Sequence, residues 1–94
     1  MLDLATATHA QFEACLNQPF ALQPALVLAE VHALGSARSG TTREPFSLIF
    51  RGAPGLRLPQ QIHHLENTTL GALDIFLVQT GDGPDGSFFE AVFN

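Results

Sequence analysis

With 94 residues, 46% of them apolar and only 14% charged, a net charge of −5 and no Lys, the chain is sized for one domain around one core. It lacks the clustered cations that draw a protein to nucleic acid or to an anionic membrane surface. Charge this sparse leaves a surface prone to association, because soluble domains are usually about one-quarter charged.

The first element is a helix expected over residues 9–16. Thr8-His9-Ala10-Gln11 has the form of a capping box, and Phe12, Cys15 and Leu16 follow at helical spacing until Asn17 and Pro19 stop it. So short a helix is not stable alone, so it should dock on the core as a plug over one end of a sheet. Phe20 and Leu22 begin an extended stretch. Leu26 to Leu34 is one β-compatible run, with Val27, Ala29 and Val31 expected inward and Leu26, Leu28, Glu30 and His32 outward. Gly35 to Thr42, small and polar, reads as a mobile loop joining two strands as a hairpin.

The clearest strand is Glu44 to Gly52, where Phe46, Leu48 and Phe50 alternate with Ser47 and Arg51 and only Ile49 breaks the period of two. Gly52, Pro54 and Gly55 force a turn. Gln60 to Glu66 reads as a weaker strand, and Asn67-Thr68-Thr69 with Gly71 as a turn. A strand over Ala72 to Gln79, a turn over Gly81 to Gly86 and a last strand ending at Phe93 complete the chain. Strands at this short, regular spacing predict a single all-β domain over 1–94, an antiparallel barrel or sandwich of about six strands with one short N-terminal helix. The expected core is Phe12, Leu16, Val27, Val31, Phe46, Leu48, Phe50, Leu73, Ile75, Leu77, Phe89 and Phe93. The last strand, directly before Asn94, is expected at a sheet edge able to pair with a neighbour.

No catalytic constellation emerges. His63 and His64 are adjacent, and neighbouring side chains on a strand point to opposite faces, so the two do not readily share one metal ion. Asp82-Gly-Pro-Asp85-Gly86 lacks the ligand ladder of a calcium loop and reads as a hairpin turn. Ser47 has no nucleophile-elbow context, and Gly52-Ala-Pro-Gly55 precedes no helix and so is not a phosphate loop. Cys15, the one cysteine, is expected to be an inert core thiol. Without a partner thiol it forms no internal disulfide, which agrees with a cytoplasmic protein. So does a start that lacks a signal peptide, and no apolar run reaches the roughly eighteen residues of a membrane span.

Two features point to contact as the mode of action. Phe76 and Val78 alternate with Leu73, Ile75 and Leu77, while Phe88 and Val92 alternate with Phe89, Ala91 and Phe93, so both strands are apolar on both faces. All four cations, Arg38, Arg43, Arg51 and Arg57, lie between residues 38 and 57. Pairing with nearby acids accounts for them best, with a docking face for an acidic partner around Arg38 and Arg43 as the sharper reading.

Pro45-Phe-Ser-Leu-Ile-Phe-Arg-Gly52, then Leu58-Pro-Gln, Ile62-His-His-Leu-Glu66, Leu70-Gly-Ala-Leu-Asp-Ile-Phe-Leu-Val78 and Phe89-Glu-Ala-Val-Phe-Asn94, resembles a family of small bacterial proteins of unknown function. The resemblance spans nearly the whole chain and carries no catalytic motif. It implies a domain rather than a reaction, and a tail-associated structural or assembly role beside phage-tail-like components. The expected function is therefore a non-catalytic interaction or assembly module, binding a protein partner or itself, with no cofactor. The alternative is a small β-barrel that holds a ligand in its mouth.

Overall fold

The computed structural model describes residues 7–20, 26–33 and 45–93. In chain order these form α1 (His9–Glu13), β1 (Pro19–Phe20), β2 (Leu26–Ala33), β3 (Phe46–Gly52), β4 (Gln61–Asn67), β5 (Gly71–Gly83) and β6 (Gly86–Phe93). The six strands make one antiparallel sheet in the order β1-β2-β3-β6-β5-β4, and β1 approaches β4, so the sheet is a nearly closed barrel. This is the expected fold class. Two three-stranded meanders are joined by the pairing of β3 with β6, from Phe46↔Phe93 to Gly52↔Ser87.

That pairing overturns the expectation for the last strand, since β6 lies inside the sheet between β3 and β5 and is no edge. β5 is also longer than expected, because the Gly81-Asp82-Gly83 stretch continues its ladder and only Pro84 and Asp85 make the turn. It changes partner along its length: Gly71 to Leu77 pair with β4, and Val78 to Gly83 pair with β6.

The barrel is filled by the alternating side chains of its strands. Phe46, Leu48 and Phe50 of β3 point inward to meet Phe89 and Ala91 of β6, with Leu73, Ile75 and Leu77 of β5 and Leu65 of β4, all buried. Five Phe side chains are wholly enclosed (Phe12, Phe20, Phe46, Phe50 and Phe89), each stabilising by about 1.5–3 kcal/mol through burial. Phe20 meets Phe50 edge-on with ring centroids 5.1 Å apart, and Phe46 stacks on Phe93 at 4.7 Å.

On β2 the inward residues are Leu26 and Leu28, with Val27 only half-buried. The cause is a bulge. Leu28 pairs with Phe50 and Glu30 with Ile49, so Ala29 is an extra residue and the inward face switches parity. Beyond it Val31 packs against the core as expected, opposite Leu48.

α1 is shorter than expected and ends at Glu13. Gln11 returns its side-chain oxygen to the Thr8 N–H at 2.9 Å, closing the N-terminus as the capping pattern requires. After Glu13 the chain tightens: Cys15 N–H donates to the Phe12 carbonyl at 2.8 Å and Leu16 N–H to Glu13 at 3.3 Å. At three residues per turn, Phe12 and Cys15 share the inward side and Leu16 is rotated out to water, which removes it from the expected core. Asn17 reverses the chain with φ of 67°, and its N–H donates to the Leu28 carbonyl at 2.7 Å. Phe12 sits 5.8 Å from Phe46 and 5.6 Å from Phe93, so the helix covers the end of the barrel where β3 begins and β6 finishes.

Candidate functional site: the outward face of β4, β5 and β6

The residues expected at an interface divide into two groups. Arg38 and Arg43 lie outside the described residues. Phe76, Val78, Phe88 and Val92 are brought together on the outward face of two neighbouring strands, because each alternates with a buried residue. Phe76 and Val92 are 48% and 54% exposed, while Val78 and Phe88 are half-buried.

β4 adds a residue that the sequence reading passed over. Ile62 is 65% exposed and lies directly opposite Phe76 across the β4–β5 ladder. Its signal was present in the alternation, since Leu65 as an inward residue fixes His63 as inward and Ile62, His64 and Glu66 as outward. The two histidines do separate in that way. His63 is buried and donates from Nε2 to the Pro59 carbonyl at 2.8 Å, while His64 is exposed.

The apolar row is bordered by acids. On one side His64 faces Asp74, its Nδ1 2.8 Å from Asp74 Oδ1, and Glu66 lies 3.6 Å from its other ring nitrogen. The hydrogen bond to Asp74 is the main cause holding the His64 pKa above the ordinary histidine value, with Glu66 adding to it. On the other side Glu90 of β6 pairs with Val78 of β5 and Ile49 of β3. One row beyond, Arg51 of β3 lies opposite Phe88.

Two further polar clusters, away from this face, tie the barrel together. Asn67, buried at the end of β4, accepts from the backbone N–H groups of Thr69 and Leu70 at 2.8 and 2.9 Å. Its amide donates across the seam to Gln18 Oε1 at 3.1 Å and to the Pro19 carbonyl at 3.2 Å. Cys15 is buried beside it, with Sγ 3.7 Å from Asn67 Oδ1, and desolvation raises the thiol pKa despite an opposing hydrogen bond from Thr69. A buried thiol held protonated is a poor nucleophile. At the opposite end Asp82 accepts from Gly55 N–H and Ser87 Oγ, both at 3.0 Å, with Arg57 at 3.8 Å. The Gly55 hydrogen bond, then Ser87, then Arg57 hold its pKa below the ordinary aspartate value. The Asp82-to-Gly86 stretch thus closes the β5–β6 hairpin, with the turn itself at Pro84 and Asp85 and Asp82 as a bracing carboxylate within the ladder. Among the described residues no group of three or more His, Cys, Asp or Glu side chains is placed to hold a metal ion.

Fold and face together define a small, side-chain-filled antiparallel β-barrel with an apolar row exposed on one wall. Residues 7–93 match the domain of unknown function DUF6916, and the chain belongs to that family. No curated protein and no solved structure matches the chain.

Proposed function

We propose that the chain is a non-catalytic interaction or assembly module that works by contact through the outward face of β4, β5 and β6. The observation that carries this reading is the exposed cross-strand pair Ile62–Phe76 with Val92 on the same face. Large apolar side chains grouped on one wall of a small domain mark a contact surface, whereas scattered ones do not. From the family resemblance we take the setting to be a phage-tail-like assembly in a bacterium, with a cytoplasmic location supported by the single unpaired thiol. No described helix is long and apolar enough to cross a membrane. The alternative, a ligand-holding barrel, has less support, because inward Phe and Leu side chains occupy the interior where a ligand would sit.

The test is a photo-crosslinking amino acid placed at position 76, compared with the same group at exposed Ala53 on the β3–β4 connection. In the cells that make the protein, position 76 should give a discrete protein adduct that position 53 does not. Equal, diffuse labelling from both positions would sink the contact reading.

A further inference from the structure

We infer that this face is built for a cationic partner: a segment of another protein that sets an apolar side chain between Arg or Lys residues. The inference rests on the contact reading above and adds the chemistry of what is contacted.

The first support is charge. Beyond Leu58 the acids are Glu66, Asp74, Asp82, Asp85 and Glu90, and no Arg or Lys occurs, so the three strands β4, β5 and β6 carry carboxylates alone apart from the two histidines. Asp74 and Glu90 flank the apolar row on its own face, one on either side, while Glu66 lies one step further out beyond His64, whose imidazole stands 2.8 Å from Asp74 and 3.6 Å from Glu66 and so faces two carboxylates at once. Arg51, the nearest Arg in the ladder, belongs to β3 and lies beyond Glu90 in the row of Phe88.

The second support is what the arrangement penalises. A two-fold self-contact sets this net-acidic patch against its own copy, each residue meeting a different residue across the axis, so covering the apolar row brings an excess of carboxylates together with only His64 and Arg51 to offset them. Like charges brought together in an interface weaken the contact and reject the wrong partner. A partner with Arg or Lys around an apolar residue gains on both counts, covering Ile62 and Phe76 while its cations meet the acidic border. An anionic lipid surface or nucleic acid meets only repulsion there.

The experiment uses the full chain and a short synthetic peptide alternating Arg with Leu, beside a matched peptide with Glu in place of Arg, read by NMR shift changes and titration calorimetry. The Arg peptide should bind, moving the resonances of Ile62 and Phe76, and should weaken as salt is raised. Glu66→Gln with Asp74→Asn should weaken it roughly tenfold, and Phe76→Ser should do at least as much. Glu13→Gln with Asp85→Asn, the same charge loss away from the face, should change it by less than about twofold.

Binding of the Glu peptide as tight as that of the Arg peptide, or an equal loss from both double variants, would overturn the inference. So would failure of the Arg peptide to bind. Concentration-dependent self-association abolished by Phe76→Ser would also overturn it, since the occupant would then be a second copy. In each of these cases the crosslink at position 76 still decides the contact reading separately.

Discussion

Asn67 is the residue on which the barrel seam most depends. Its side chain uses both amide hydrogens and its carbonyl oxygen, joining the β4–β5 turn to the connection between α1 and β1. Asn67→Ala leaves those partners without it and should cost roughly 2–3 kcal/mol in urea denaturation. Asn67→Asp should cost at least as much, because it keeps the turn acceptor but points a carboxylate oxygen at the Pro19 carbonyl. A neutral Asp variant would show that the seam bonds add nothing. Gly86 is the second critical position: its φ is 138°, and an added Cβ would lie 2.7 Å from the Gly52 carbonyl oxygen and 2.9 Å from Arg51 Cγ. Gly86→Ala should therefore lower stability by more than the ~1–3 kcal/mol of backbone strain alone, which thermal unfolding would read. Cys15→Ala should cost only about 1 kcal/mol, as a small core truncation, with the thiol of the native protein slow to alkylate. Of these three residues, sequence identified the buried cysteine from its place beside Phe12. Asn67 looked like any turn residue, because its partners Gln18 and Pro19 are remote in the chain.

At the scale of elements, legibility followed the regularity of each strand. Phe46-Leu48-Phe50 and Leu73-Ile75-Leu77 recur at every second position without a shift of register, so both strands and their inward faces could be read directly despite Ile49 and Phe76 on the other side. β2 could not, because Ala29 shifts the period midway and no local residue preference announces it. A second extra residue, Thr80, does the same on β5 between Gln79 and Gly81, where the ladder to β6 changes step. The bulge makes a prediction: deleting Ala29 forces either Leu28 or Val31 off the core face, and the variant should lose cooperative unfolding or melt many degrees lower. The His64–Asp74 pair gives a subtler one across β4 and β5. His64 binds its proton more tightly in the fold than in the unfolded chain, so its stabilisation is complete below the ordinary histidine pKa of about 6.5. It is lost as pH rises through the raised folded value. Asp74→Asn should move the NMR titration midpoint of His64 down, and Glu66→Gln should move it less. Equal midpoints in all three proteins would reject the ladder contact.

For the molecule as a whole, the class of fold was readable from strand spacing, and the order of strands was not. Periodicity reports which face is buried, whereas the β3–β6 pairing joins segments half the chain apart and leaves no local mark. The outward face was half legible: Phe76 and Val92 stood out as second-face apolar residues, while Ile62 was hidden among histidines and glutamines. The two meanders are further braced where Asp82 reaches the β3–β4 connection at Gly55 and Arg57. Because its carboxyl is held below the ordinary aspartate value of about 3.9, its stabilisation is present above that value. It is lost as pH falls through the lowered folded pKa. Asp82→Asn should therefore flatten the acid limb of a melting-temperature profile, and an unchanged limb would remove Asp82 from the account. The interior position of β6 has a consequence for how the barrel comes into being. Until β6 arrives, β3 and β5 both offer an open edge, and inserting it requires closing the loop from Phe46 to Phe93, the longest in the sheet. That closure belongs in the rate-limiting step of folding, so truncations at Phe50 or Phe89 should slow refolding more than they speed unfolding, while Leu65 on the outer β4 strand should show the reverse.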